Sequence, residues 1–349
     1  MNKGWLEYMR EIKFLSKGDK ISLVAPSFGC VIEPYKTRLE IAIKNMEKDG
    51  YVIEQGDNIY LAKCKTRSNS PRQCALEFNK AYLESDSKVV WSVGGGETMC
   101  EILPFIDFKR IKKAPFKWFI GFSDNTNLTY TLTTHFDMPT IYGSNFPAFA
   151  YKPYEYCEKD VLDLVSGKTK STCGYPTWER YKDEELAKEP LAPKNLSEAK
   201  ILKLFPNKDV EIQGRLLGGC LDCILNLCGT KYDKTLEYIE RHKKEGIIFF
   251  LEACDLNPLS LERGLYQLRE ASYFKYCKGF IIGRPLCYKQ RLFGVNHYNA
   301  IKEILGKLHL PIIMDADLGH FYPSMPIVNG ALAKVKTENN NIHIDYLDL

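Results

Sequence analysis

The apolar and polar positions of the chain fall into two kinds of run. Ile21-Ser22-Leu23-Val24-Ala25 is a short apolar run stopped by Pro26 and Gly29. Tyr51-Val52-Ile53, Val89-Val90-Trp91-Ser92-Val93 and Trp118-Phe119-Ile120-Gly121-Phe122 repeat that form. Between them, apolar residues recur at helical intervals. Residues 35–49 carry Leu39, Ile41, Ala42, Ile43 and Met46 and stop at Gly50; residues 75–83, 99–107 and 126–134 follow the same period. Strands alternating with helices predict a mainly parallel sheet covered on both faces.

The pattern breaks after Leu164. Residues 166–200 are rich in glycine, proline, serine, lysine and glutamate, with Trp178 and Tyr181 embedded, and read as a linker or long functional loop. Alternation then resumes. Residues 212–217 lead through Gly218-Gly219 into a helical stretch at 220–227. The strand Ile247-Ile248-Phe249-Phe250-Leu251-Glu252 is followed by an amphipathic helix at 261–273. Strand Phe280-Ile281-Ile282-Gly283, a helix at 298–308 and strand Pro311-Ile312-Ile313-Met314 come next, and alternation at Ile342, Ile344 and Tyr346 closes a sheet. The expected organisation is a parallel-sheet domain over 1–165, a linker and substrate loop over 166–204, and a second α/β domain over 205–349.

Composition narrows the class. A chain of 349 residues predicts about two domains, and 45% hydrophobic with 26% charged residues suits a folded protein with a sizeable core. That balance excludes a disordered or collagen-like chain. The net charge of +4 is too small to point to a nucleic-acid partner or an anionic membrane. No apolar run approaches the ~18 residues of a membrane span. The first residues intersperse Trp5 with Glu7, Arg10, Glu11 and Lys13, which is not the apolar core of a signal peptide, so a cytoplasmic protein is expected. The 12 cysteines are scattered and are expected to be reduced. Cys220-Leu221-Asp222-Cys223 has a redox or zinc spacing, but a structural zinc site needs four ligands and no second CxxC or HxxxH occurs, so no metal is expected.

Candidate chemistry lies just beyond the predicted strands, the edge where open α/β sheets collect ligands. In Gly121-Phe122-Ser123-Asp124-Asn125-Thr126 a serine sits between strand and helix, the setting of a nucleophile elbow, although Asn125 stands where GxSxG has its last glycine. The competing reading is a helix N-cap. Glu252 ends an apolar strand, where an unpaired carboxylate is costly, so a histidine or salt-bridge partner is expected; Asp255 competes for that role. His320 lies in Asp317-Leu318-Gly319-His320-Phe321-Tyr322-Pro323, a loop fixed by glycine and proline. A serine nucleophile needs a base, and the base an orienter, so these residues gain weight together. Gly94-Gly95-Gly96-Glu97-Thr98 follows a strand and offers backbone N–H groups to a phosphate or an oxyanion, or is a plain turn. Neither GxGxxG nor GxxxxGK[ST] occurs, so no nucleotide cofactor is expected.

These segments together resemble the LD-carboxypeptidase family of serine peptidases, which includes the microcin C self-immunity proteins. The matching stretches are Leu15-Ser16-Lys17-Gly18-Asp19-Lys20-Ile21 with Ala25-Pro26-Ser27, and Gly95-Gly96 through Ile102-Leu103-Pro104-Phe105-Ile106-Asp107. Gly121-Phe122-Ser123-Asp124, Gly214-Arg215-Leu216-Leu217-Gly218-Gly219 with Gly229-Thr230, and Gly319-His320 with Pro323 complete the set. The resemblance implies an N-terminal Rossmann-like domain, a smaller β-rich C-terminal domain and a homodimer. It implies a triad of Ser123, Glu252 and His320, with the amides of Asp124 and of Gly95 or Gly96 as oxyanion hole, and no cofactor. The substrate is then the L,D amide of a murein tetrapeptide or an aminoacyl-nucleotide of the microcin C type. Within that reading Trp178 could stack on a base, although Pro193-Lys194-Asn195-Leu196-Ser197 stands where Asn-x-Gly-Trp is expected, and Arg284 could pair with a substrate carboxylate or within the protein. The alternatives are a non-catalytic peptide- or nucleotide-binding module and a cysteine amidotransferase-like enzyme, for which Cys100 and Cys254 are poorly placed.

Overall fold

The computed structural model describes residues 11–180 and 188–349, which divide into two compact units. The first holds the described residues up to Thr169 and residues 188–193; the second holds residues 170–180 and 194–349.

In the first unit, β1 (Lys20–Val24), α1 (Tyr35–Lys48), β2 (Val52–Gln55), α2 (Pro71–Leu83) and β3 (Val89–Ser92) alternate in order. Then come α3 (Phe108–Ile111), β4 (Trp118–Gly121), α4 (Thr126–Phe136), β5 (Thr140–Tyr142) and α5 (Tyr156–Val165). The strands run parallel in the order β5-β4-β3-β1-β2. Every residue of β3 and β4 is buried, which is why they read as unbroken apolar runs rather than alternating ones. The chain leaves β1 toward β2 and returns on its other side as β3. The loops after β1 and β3 therefore flank a topological switch point, the place where such sheets bind ligands.

Two predicted helices differ in a physically legible way. The stretch expected at 75–83 begins at Pro71, because Ser70 caps it by accepting the Gln73 amide and proline suits the first helical turn. The stretch expected at 99–107 is a 3₁₀ helix, Met99–Phe105, with Pro104 inside it, since proline cannot donate the bond an α-helix needs there.

The second unit is a mixed sheet. Its elements are β6 (Ser171–Cys173), β7 (Thr177–Trp178), β8 (Glu198–Ala199), β9 (Lys203–Phe205), β10 (Glu211–Cys220), α6 (Leu221–Leu227) and α7 (Thr235–Arg241). β11 (Ile247–Glu252), α8 (Pro258–Glu270), β12 (Cys277–Gly283), α9 (His297–Leu305), β13 (Ile312–Ala316), β14 (Ile327–Asn329), β15 (Leu332–Glu338) and β16 (Asn341–Tyr346) follow. The order is β6-β16-β15-β10-β11-β12-β13-β9, with β10 to β13 parallel and antiparallel strands outside them. Segment 166–204, read from sequence as linker and loop, contributes β6 and pairs β7 with β8. The parallel-sheet first unit and the sheet-rich second one are the architecture the sequence pattern predicts. Among the described residues no helix is long and apolar enough to cross a membrane.

One buried side chain fixes the edge of the first sheet. Glu77 of α2 accepts the Ala25 amide at 2.7 Å and the Asn58 amide at 2.6 Å, stitching the exits of β1 and β2 together. Burial pushes its carboxyl up to about 7, against the pull of those amides. A raised folded-state value means that its contribution to stability is complete below the unfolded value, 4.5, and is lost as pH rises through about 7. In urea titrations, wild type should therefore exceed Glu77→Gln by about 1–3 kcal/mol at pH 4.5, because the substituted amide turns a donor toward one backbone N–H. That margin should shrink as pH rises to 7; a margin independent of pH would refute the assignment.

Candidate active site

The first unit presents a serine on a sharp turn. β4 ends at Gly121, and Ser123 takes a left-handed backbone with φ of 64° before the 3₁₀ turn Ser123–Asn125 runs into α4. A serine avoids that region unless its surroundings impose it. They do so here through backbone and side-chain bonds. The Ser123 amide donates to the Tyr142 hydroxyl at the end of β5, at 3.0 Å. Asn125, in the place of the missing glycine, donates through Nδ2 to the carbonyls of Gly94 (2.9 Å) and Phe122 (3.0 Å), tying the turn to the loop after β3. No side chain caps this turn or α4, so the N-cap reading of Ser123 does not hold.

The glycine loop lies beside the serine. A side chain on Gly95 would come within 3.2 Å of Ser123 Oγ, so the backbone of Gly95 borders the hydroxyl. The Gly95 carbonyl accepts the Phe28 amide at 2.9 Å, which orients the peptide. Among the described residues, the Gly95 and Gly96 amides meet no acceptor. Asp124, the other residue expected to offer an amide, is buried.

The second unit presents a histidine held by a carboxylate. Glu252 ends β11 with a fully buried side chain. His320, 15% exposed, donates from Nδ1 to Glu252 Oε2 at 2.9 Å, which leaves Nε2 as the proton-accepting nitrogen. The approach requires Gly319: it sits at φ of 106°, and a side chain there would lie 2.7 Å from Glu252 Oε2. Burial opposes the imidazolium, but the Glu252 charge and hydrogen bonds to Cys254 and Glu252 outweigh it, and the His320 pKa lies well above its ordinary value. Asp222 accepts the amides of Cys254 (3.1 Å) and Asp255 (2.9 Å) and so fixes the loop that follows Glu252. Asp255 is exposed.

A second histidine–carboxylate couple shows that pairing alone is not enough. His242 Nδ1 lies 2.9 Å from Glu245 Oε2, but Glu245 also receives both arms of Arg215, at 2.7 and 2.9 Å, in a structural ion pair.

The two residues proposed from sequence for substrate contact are enclosed. Trp178 is 2% exposed, donates to the Ala199 carbonyl, and is faced by Tyr288, Phe321 and the Arg284 guanidinium. Arg284 is also 2% exposed and spends its guanidinium on Asp317 and on the Asp315 carbonyl, the internal pairing that was its alternative reading. Tyr181 lies outside the described residues. Cys220 is buried, and both Cys223 and burial raise its thiol pKa well above the ordinary value, which opposes redox reactivity. Sequence reading missed Tyr142, and it named Asn125 and Cys254 without assigning them a supporting part in the site. Their only sequence signal for that part is position: Tyr142 ends β5, Asn125 follows Asp124, and Cys254 lies two residues past Glu252.

Residues 21–143 match the LD-carboxypeptidase N-terminal domain and residues 213–335 the LD-carboxypeptidase C-terminal domain. The microcin C7 self-immunity protein MccF of Escherichia coli is 24% identical over 344 residues, covering 95% of this chain and 94% of that protein. The murein tetrapeptide carboxypeptidase of Pseudomonas aeruginosa is 24% identical over 302 residues, covering 84% of this chain and 87% of that one. A solved structure of MccF in complex with glutamyl sulfamoyl guanosine shares the fold, with a TM-score of 0.79 at 22% identity, covering 96% of this chain and 98% of that chain. Both halves of one family are matched in order and together span more than half of the sequence, and the chain belongs to the LD-carboxypeptidase family of serine peptidases.

Proposed function

We propose that the chain hydrolyses a small peptide-like amide, with Ser123 as nucleophile, His320 as general base and acid, and Glu252 as the group that orients His320. Ser123 Oγ attacks the scissile carbonyl while His320 Nε2 takes its proton. The oxyanion that forms is stabilised by the amides of Asp124 and of Gly95 or Gly96. His320 returns the proton to the leaving amine as the C–N bond breaks, and water, deprotonated by His320, then releases the acyl group from Ser123. The observation that carries this reading is the left-handed Ser123: a serine held against its preference beside uncommitted amides is a strain that structure alone does not require.

The substrate class is an amide whose scissile carbonyl belongs to an amino-acid residue. The related P. aeruginosa protein is a murein tetrapeptide carboxypeptidase, and MccF has been solved with a glutamyl sulfamoyl nucleoside. Both names support an aminoacyl group at the scissile carbonyl. The enclosed Trp178 ring offers no open face for base stacking, which favours the peptide over the nucleotide. Incubating the purified chain with a murein tetrapeptide and, separately, with aspartyl sulfamoyl adenosine, and following products by mass spectrometry, tests the proposal. Cleavage of the tetrapeptide is expected, and Ser123→Ala should lower kcat by at least about 10³-fold. Cleavage of neither compound, or cleavage that survives Ser123→Ala, would overturn it.

The base has its own signature. A His320 pKa raised by Glu252 places the acid limb of kcat/KM above the ordinary histidine value of 6.5, because only the neutral imidazole accepts the proton. Glu252→Gln removes the charge that favours the imidazolium. The limb should move to lower pH while kcat falls by about 10³–10⁴-fold. A limb that stays in place would assign it to another group.

The strain can be read as stability. Ser123→Gly and Ser123→Ala both remove the hydroxyl, so their difference isolates the backbone. Glycine ordinarily costs about 0.5–1 kcal/mol relative to alanine, but at a left-handed position the order reverses. Urea denaturation should find Ser123→Gly the more stable by about 1 kcal/mol; the ordinary order would mean that no strain is held there.

A further inference from the structure

Asp124 follows the proposed nucleophile, and its buried carboxylate gathers three separate segments of the first unit. Oδ2 accepts the Ser27 hydroxyl at 2.6 Å and the Met99 amide at 2.9 Å; Oδ1 accepts Asn127 Nδ2 at 2.9 Å. Asn127 Nδ2 also donates to the Asp124 carbonyl at 2.9 Å, closing a ring around the residue. Ser27 belongs to the loop after β1, and Met99 begins the 3₁₀ helix directly after the Gly94–Thr98 loop. Ser27 fixes that loop a second time by shape. Gly96 has φ of 152°, and a side chain on it would meet Ser27 Oγ at 2.0 Å, so Ser27 stands against the Gly96 backbone.

A carboxylate here runs against the simplest electrostatics. Negative charge one residue from the nucleophile opposes a developing oxyanion. Helix N-terminal hydrogen bonding accounts for only one of those three contacts, the Met99 amide that opens the 3₁₀ helix; the others come from the Ser27 hydroxyl and the Asn127 side chain. What the carboxylate does have is a link to each of the peptides expected to bind the oxyanion: its own, through the turn, and that of Gly95 or Gly96, through Ser27 and Met99.

Resting on the function proposed above, we propose that the Asp124 side chain is a positioning residue that holds both oxyanion-binding peptides in one fixed geometry. A displacement of about 1 Å in such a group costs about 10²-fold in rate, and losing one donor costs about 10²–10³-fold. Substrate binding in the ground state makes no use of that geometry, so KM is unaffected. Ser27 carries part of the same function, since its hydroxyl is one of the links.

The test uses the whole chain and whichever amide it cleaves, with Asp124→Asn, Asp124→Ala and Ser27→Ala beside Ser123→Ala. Asp124→Ala should lower kcat by about 10²-fold with KM changed less than about 3-fold, and Ser27→Ala should lower kcat by about 10-fold. The affinity of a boronic acid analogue of the substrate, which copies the tetrahedral adduct, should fall by the same factors as kcat/KM. Asp124→Asn, which keeps the size and removes the charge, should also lower kcat. A rise in kcat for that variant would mean that the charge acts directly on the oxyanion and would overturn the proposal. So would unchanged kcat per folded molecule and unchanged boronate affinity in all three variants, which would mark Asp124 as structural only. If Ser123→Ala is inactive and the Asp124 variants are normal, this inference alone fails; if Ser123→Ala stays active, the proposed function fails and this inference with it.

Discussion

A serine backbone in the left-handed region is the constraint on which the first unit's edge is organised. The penalty for such a residue is on the order of 1–2 kcal/mol, small against a domain's gross interactions but large against its net stability. It persists only where neighbours over-determine it. Tyr142 takes the Ser123 amide, Asn125 binds the carbonyls of Phe122 and of Gly94 in the loop after β3, and the Asp124 carboxylate reaches Ser27 after β1 and Met99 beyond β3. Glu77 then fixes the exits of β1 and β2 from behind. Most of these bonds link segments that leave the same edge of the sheet, so the parallel topology itself brings the partners that hold the serine together.

The second unit meets a different difficulty. Glu252 is fully buried at the end of an apolar strand, and an ionised carboxylate there is expensive without a partner. His320 supplies the partner, and the bond also settles which ring nitrogen carries a proton. The same contact therefore stabilises the charge and prepares Nε2 to accept a proton. Removing the glutamate would take away the acceptor that fixes the ring's tautomer, and removing the histidine would take a hydrogen-bond partner from a buried charge. The contrast with His242 is instructive. There the carboxylate is shared with Arg215, its charge is already compensated, and no demand remains that the imidazole alone can meet.

Much of this was legible in the residues. The strand–helix alternation followed from periodicity because buried parallel strands write themselves as continuous apolar runs, as in Val89 to Ser92 and Ile247 to Glu252. Ser123 and Glu252 could be singled out because each stands directly after or at the end of such a run, and His320 because its loop is fixed by Gly319 and Pro323. What could not be read was long-range. Nothing in the sequence near Asp124 announces Ser27 and Met99, which lie 97 and 25 residues away. Elements 99–107 and 166–204 differ in detail from the pattern's expectation for a local reason and a global one. A single proline turned the first into a 3₁₀ helix, and strand pairing with β16 recruited part of a turn-rich segment into a sheet. Trp178 and Arg284 show the same limit for single residues: the family resemblance offers substrate contact beside a plain packing or ion-pair reading, and it takes the packing against Tyr288, Phe321 and Asp317 to show both side chains enclosed.

The two units store free energy in different forms. One holds conformational strain at Ser123, the other a desolvated charge at Glu252. Strain is met by hydrogen bonds whose geometry is rigid, and desolvated charge by a short contact with His320 whose strength grows as water is excluded. A marginally stable domain tolerates a few kcal/mol of such destabilisation before the folded fraction suffers. In each unit the demanding residue is met at the end of a strand: the Ser123 amide, after β4, by the Tyr142 hydroxyl, and the Glu252 carboxylate, at the end of β11, by the His320 imidazole.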